Sequence, residues 1–146
     1  ADELARTWRL GTHFSMLLMD VDHFKSINDL YGHQVGDEVL RQVASRLQEN
    51  TRASDWCFRY GGEEFLLVLP ETTLDAAWQK TDALRQSFVD LPLAFGEVVI
   101  HMTVSAGLSC FPQHGTDMDA LISRADQALY RAKKQGRNCT LTFSAQ

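Results

Sequence analysis

Two acids stand where an apolar run ends: Phe14-Ser15-Met16-Leu17-Leu18-Met19 leads into Asp20-Val21-Asp22-His23-Phe24-Lys25. Alternate residues of an extended chain point the same way, so Asp20 and Asp22 share a face if the strand persists. Paired carboxylates at a strand end suit Mg²⁺, which takes oxygen ligands and keeps substrate phosphates in its shell. The plain alternative is a polar loop after a strand. A second group is Arg59-Tyr60-Gly61-Gly62-Glu63-Glu64-Phe65. Its glycines lack Cβ atoms and let a phosphate or base approach the backbone. Adjacent strand residues face opposite sides, so Glu63 and Glu64 need not serve one ion. Taken alone, the segment reads as an ordinary turn with solvated acids.

Three further groups carry polar chemistry. Lys133 and Arg137 are spaced i,i+4 at a helix end, where two cations on one side can hold terminal phosphates or simply complement the helix C-terminus. Asn28, with His33 and Asp37, can read a guanine edge, because an amide donates and accepts while a carboxylate accepts from guanine N–H groups. A turn or cap accounts for Asn28 equally well, and helix N-terminal charge for Asp37. In Arg52-Ala53-Ser54-Asp55 the arginine can grip phosphate bidentately and stack on a base. By itself that segment reads as a surface ion pair at a helix–strand junction.

The elements that must position these residues follow from the pattern. The run from Phe14 is a central strand buried on both sides. A loop and short helix span His23 to His33, ending at Gly32. Val35, Val39, Leu40, Val43, Ala44 and Leu47 draw a helical stripe to about Asn50. Trp56–Tyr60 and Glu64–Leu69 form a hairpin around Gly61-Gly62, closed by Pro70. A helix from Thr72 to about Val89 carries Leu74, Ala77, Trp78, Thr81, Leu84 and Phe88, with Thr72 or Thr73 as N-cap. Glu97–Cys110 is β-rich, with Val98, Ile100, Met102 and Val104 on one face and Gly107 marking a bulge or close approach. Thr116–Lys134 is a helix opening on a capping-box-like Thr116-x-x-Asp119. Cys139–Phe143 is a final edge strand. Hairpins mixed with helices predict an α/β (α+β) layered domain around a largely antiparallel central sheet.

Composition sets the outer limits. The 146 residues are 45% hydrophobic and 23% charged, enough for one domain with one core. A net charge of −5 argues against binding a nucleic-acid polymer, yet leaves room for one nucleotide neutralised locally by metal ions and a few basic side chains. No apolar run approaches the roughly 20 residues of a membrane span, and no secretory signal is visible. Cys57, Cys110 and Cys139 lack metal-ligand spacing and read as reduced cysteines of a cytoplasmic protein. The opening Ala1-Asp2-Glu3-Leu4-Ala5-Arg6 reads like the middle of a helix, so the expectation is a fragment whose regulatory module, and any membrane anchor, lie upstream.

Taken together, these segments resemble the GGDEF domains, or diguanylate cyclases. Gly61-Gly62-Glu63-Glu64-Phe65 matches the family signature in its GGEEF form. Met19-Asp20-Val21-Asp22-His23-Phe24-Lys25-Ser26-Ile27-Asn28-Asp29 is similar to its first-strand motif, followed by Tyr31-Gly32-His33 and Gly36-Asp37. Ala125-Asp126-Gln127-Ala128-Leu129-Tyr130-Arg131-Ala132-Lys133-Lys134-Gln135-Gly136-Arg137-Asn138 resembles its C-terminal motif. The family's usual opening segment, D-x-L-T-G-L-x-N-R, has no counterpart here.

The resemblance implies a fold related to nucleotidyl cyclases and polymerase palms, GTP as substrate and two Mg²⁺ or Mn²⁺ per site. It implies Asp20, Glu63 and the Val21 carbonyl as metal ligands, Glu64 as a further ligand, and Glu63 and Glu64 as the catalytic acids. Asn28 and Asp37 match guanine-reading positions, and His33 a pocket position. Gly61 and Gly62 match the substrate-facing turn. Lys25, Lys133 and Arg137 match phosphate positions, with the Phe24 and Lys25 amides beside them. Arg52 and Asp55 match an inhibitory RxxD site for the product, cyclic di-GMP. The expected chemistry joins two GTP molecules across a homodimer.

Overall fold

The computed structural model describes residues 12–144; the opening helix expected upstream of the first strand lies outside them. Strand β1 (Phe14–Val21) is buried along its whole length. Its residues alternate between two cores: Leu17, Met19 and Val21 enter one cluster, while Phe14, Met16 and Leu18 enter another. That is why the sequence shows a nearly continuous apolar run, interrupted by Ser15, rather than alternation. Each large side chain so buried contributes roughly 1.5–3 kcal/mol. Helix α1 (Phe24–Tyr31) and helix α2 (His33–Glu49) follow, then the hairpin of β2 (Trp56–Arg59) and β3 (Glu64–Pro70). Helix α3 (Leu74–Asp90), β4 (Leu93–Phe95), β5 (Val98–Ile100), β6 (Val104–Phe111), helix α4 (Met118–Lys134) and β7 (Thr140–Thr142) complete the chain.

The main sheet runs β2-β3-β1-β6-β7. Its pairings are antiparallel except β6–β7. The expected α/β fold, with a mostly antiparallel sheet flanked by helices, is therefore present. Residues of α1, α2 and α3 share the larger core cluster; Leu121, Ala125 and Leu129 of α4 share the smaller one. Gly107 is the close approach anticipated for it: a Cβ there would lie 2.2 Å from the Leu129 nitrogen and 2.3 Å from the Ala125 carbonyl, so α4 rests directly on β6.

Two local readings are corrected. Glu97–Cys110 is not one extended run: β4 and β5 pair as a separate two-stranded sheet, and β6 begins only at Val104. Gly96, at φ +61°, turns that hairpin, and Val98 is exposed while Ile100, Met102 and Val104 are buried. Helix α4 is capped by Asp117, whose carboxylate accepts from the Ala120 N–H at 2.8 Å, rather than by Thr116. On α3 the cap is Thr73, accepting from Ala76. All three cysteines are free.

Candidate active site

The antiparallel register of β1 and β3 sets Asp20 opposite Glu64, and the Val21 N–H donates to the Glu63 carbonyl at 3.3 Å. The tips of the two strands thus bring Asp20, Glu63 and Glu64 to one place. Strand β3 begins at Glu64, which leaves Glu63 in the turn and free of strict strand alternation. Both glutamates feel Asp20. Burial first, then the negative field of Asp20, holds each carboxyl above its ordinary range, with Lys133 opposing. The Lys133 ammonium forms an ion pair with Asp20 Oδ2. Burial works to lower the Lys133 pKa, but the bond to Asp20 and the charges of Asp20, Glu64 and Glu63 outweigh it and raise it.

The turn carrying these acids is tied from several sides. The Tyr60 N–H donates to the Glu64 carbonyl at 2.8 Å, and Gly61 reaches the same oxygen at 3.4 Å. The Arg59 guanidinium closes over the Gly62 carbonyl, with Nε at 3.0 Å and Nη2 also donating. Arg59 drew no role from the sequence beyond its place in the motif.

A divalent cation can be tested against the residues present. Among the described residues no three carboxylate, imidazole or thiol side chains form a ready-made cage. Magnesium does not need one: it keeps several waters and binds through one or two carboxylates plus substrate phosphates. The donor set fits. Asp20 is 3% exposed, and its Oδ1 is buried with no hydrogen-bond partner. Three acids converge on one ammonium, so a further positive charge is electrostatically welcome.

Asp22 has another job. Strand β1 stops at Val21, and the Asp22 carboxylate accepts from Thr103 Oγ1 at 2.6 Å, Ser105 Oγ at 2.7 Å and the Asn138 N–H at 3.1 Å. Its acceptor capacity is engaged in holding the fold. His23, at φ 55°, precedes α1 and supplies no side-chain cap, leaving the first amides of that helix, Phe24 and Lys25, without a side-chain acceptor. Phe24 itself is buried, whereas Lys25 is exposed.

The base-reading expectation falls on the α1–α2 corner. Asn28 Oδ1 is buried and unpartnered. It occupies the space a side chain at Gly36 would need: a Cβ there would lie 1.8 Å from that oxygen. Gly36, whose role the sequence did not disclose, thus admits the Asn28 side chain against α2. Asp37 is exposed and lines a cleft of about 320 Å³ with Leu40, Arg41, Phe58 and Arg59. His33 opens α2 and is exposed. Arg137 is exposed in the turn after α4.

Arg52 and Asp55 lie elsewhere. Asp55 has a fully buried side chain that accepts from Lys80 Nζ at 2.8 Å and from the Arg52 backbone N–H at 2.9 Å. Arg52 also reaches the Pro70 carbonyl, at the opposite end of β3 from Glu64. Six residue steps along the strand separate those ends, about 20 Å. Burial works to raise the Asp55 pKa, but the bonds to Lys80 and Arg52 outweigh it and hold the carboxyl below its ordinary value.

Comparison with known proteins places this geometry. Residues 1–139 match the family described as diguanylate cyclase, GGDEF domain. The response regulator PleD of Caulobacter vibrioides is 43% identical over 137 residues, which cover 92% of this chain and 30% of PleD. The active GGEEF domain of a Vibrio cholerae diguanylate cyclase superposes with a TM-score of 0.90 at 37% identity, covering 99% of this chain and 92% of that one. The GGDEF domain of DgcB from Caulobacter crescentus, solved with c-di-GMP, superposes at 0.87 with 31% identity, covering 97% and 84%. The chain therefore spans under a third of PleD's length. It carries the signature turn of Gly61–Phe65 at the tip of the matching hairpin, and it belongs to the GGDEF family.

Proposed function

We propose that this chain is the catalytic unit of a diguanylate cyclase, joining two GTP molecules into cyclic di-GMP with release of two pyrophosphates. The observation that carries this reading is the convergence of Asp20, Glu63 and Glu64 at the tips of β1 and β3, with one Asp20 oxygen buried and unpartnered. Each of two facing protomers binds one GTP. The 3′-hydroxyl of one nucleotide attacks the α-phosphorus of the other; the O–P bond forms as the bond to pyrophosphate breaks, and the hydroxyl proton leaves to a base. The same step in the opposite direction closes the ring. Divalent cations, when bound, neutralise phosphate charge and lower the pKa of the attacking hydroxyl.

The chain's own groups position and neutralise. Asp20, Glu63 and the Val21 carbonyl hold the cations, with Glu64 adjacent. Glu63 takes the hydroxyl proton. The uncapped start of α1 offers its Phe24 and Lys25 amides to phosphate, as helix N-termini do. Lys25, Lys133 and Arg137 neutralise the terminal phosphates, Gly61-Gly62 lets them approach, and Asn28 and Asp37, with His33 nearby, read guanine. Arg52 and Asp55 form a distant product site that restrains the enzyme.

The test is Glu63→Gln in the intact protein, incubated with GTP and Mg²⁺ and followed for cyclic di-GMP. Turnover should vanish while the melting curve holds; full activity would remove Glu63 from its role. Product from ATP at the same rate as from GTP would remove the guanine reading.

A further inference from the structure

The turn that follows α4 adopts an unusual backbone. Gly136, Arg137 and Asn138 have φ of 115°, 65° and 49° in succession. Two consecutive non-glycine residues in the left-handed region persist only where their surroundings over-determine them. Here the surroundings converge on Asn138. Its N–H donates to Asp22 Oδ2 at 3.1 Å and lies 3.0 Å from Ser105 Oγ, and its Oδ1 accepts from Arg85 Nη1 at 2.9 Å. The carboxylate that receives it is 5% exposed and lies 116 residues earlier in the chain. Thr103 and Ser105 hydroxyls, together with the Asp22 N–H bound to the Thr103 carbonyl at 2.9 Å, fix that carboxylate.

We infer that Asp22 is a positioning residue for Arg137, locking the left-handed turn that presents the guanidinium to the substrate's terminal phosphates. A carboxylate suits the place best. Three donors point at its two oxygens, and its charge strengthens all three bonds; an amide would keep its oxygen for Thr103 and Asn138 only by turning its NH₂ on Ser105 Oγ, and it would lose that charge. The anchor is also the residue after Val21. One side chain therefore ties the phosphate-facing turn to the acid-bearing strand tip, so that the two halves of the site keep a fixed separation. This rests on Arg137 binding phosphate as proposed above.

The measurement is binding of a non-hydrolysable GTP analogue and of GMP, each with Mg²⁺, to the intact protein and to Asp22→Asn, Arg137→Ala and the double variant. Loss of a charge-assisted phosphate contact weakens binding about tenfold or more. The expected result is that Asp22→Asn weakens the triphosphate to that extent, leaves GMP within about twofold, and adds little once Arg137 is gone. Ser105→Ala, which removes one hydroxyl from the same cluster, should weaken the triphosphate in the same sense and secures the test if Asp22→Asn does not fold. Unchanged triphosphate affinity in Asp22→Asn, additive losses in the double variant, or equal weakening of GMP would each overturn the assignment. If Arg137→Ala alone leaves the triphosphate affinity intact, the phosphate role of Arg137 fails, and the inference fails with it.

Discussion

Alanine at position 36 separates folding from substrate reading. Gly36 sits inside α2, where glycine is less favourable than alanine by about 1 kcal/mol. On helix propensity alone, Gly36→Ala should stabilise the protein. The new Cβ, however, would lie 1.8 Å from Asn28 Oδ1 and 2.9 Å from its Cγ, with the Phe24 ring edge at 3.3 Å. The first two contacts are to the far end of one half-buried side chain, which can swing outward, and the third asks for a shift of a few tenths of an ångström. The clash and the propensity gain therefore nearly cancel, and the melting temperature should move by only a few degrees. Asn28 does not escape so lightly. If Asn28 reads guanine as proposed, displacing it forfeits base-edge hydrogen bonds worth about 1–3 kcal/mol, roughly a tenfold to hundredfold loss in GTP affinity. Thermal melts alongside titration calorimetry with GTP and ATP analogues measure both halves. Wild-type GTP preference in the alanine variant would refute the assignment of Asn28. A collapse of stability would show instead that the corner cannot yield.

Gly107→Ala is the opposite case, because its Cβ meets backbone rather than a flexible side chain; overpacking typically removes 1–3 kcal/mol, and urea unfolding should show a loss at or above the top of that range. Asp55 has a lowered pKa, so its stabilising contribution is full above the ordinary carboxylate value and is lost as pH falls through the lowered one. Asp55→Asn should accordingly be less stable than the parent at pH 7 and should converge with it in acid; parallel denaturation curves across that window would contradict the buried pairing. Lys133→Met leaves three acids without their ammonium, and the stranded charge should remove about 1–3 kcal/mol at neutral pH. Since the glutamate pKa values are already raised, protonation should restore that stability as pH falls, and Mg²⁺ should restore it at pH 7. Insensitivity of the melting temperature to both would argue that the acids do not interact.

What the sequence discloses is whatever is local. A mostly apolar run from Phe14 to Met19 declares β1 central, and two glycines between β-rich runs declare the hairpin. Strands β4 and β5 escape because each has three residues and buries one, Leu93 or Ile100, too short for any period to register. The alternation rule also explains the reading of Asp22. It pairs Asp20 with Asp22 only if the strand persists, but β1 stops at Val21, and the partners that decide the second acid, Thr103 and Asn138, lie 81 and 116 residues away. Gly36 carries no local signal either, because its need for a bare Cα comes from a side chain on the preceding helix. The candidate site residues came through ordered motifs rather than through geometry, and Lys133 shows the difference: its spacing from Arg137 suggests phosphate, whereas the fold sets it on Asp20.

Those two descriptions of Lys133 belong together on electrostatic grounds. A site built to accept cationic charge is, by construction, a place where carboxylates repel one another. The folded protein must tolerate that repulsion before any ligand arrives. Setting a buried aspartate and two half-buried glutamates around one ammonium does so: the pair with Asp20 offsets the desolvation of both groups, and the raised glutamate pKa values allow a proton to share the load. Because lysine carries a point charge on a flexible stem, the pair can open without rebuilding the backbone, which a bidentate arginine would resist. If a divalent cation binds Asp20 as proposed, it competes with the ammonium for that carboxylate, and Lys133 is then free to face the groups proposed to bear phosphate. The acidity of the strand tips and the basicity of the last turn of α4 are thus two sides of one balance, which is why the ion pair sits where β1 meets α4 and nowhere nearer the core.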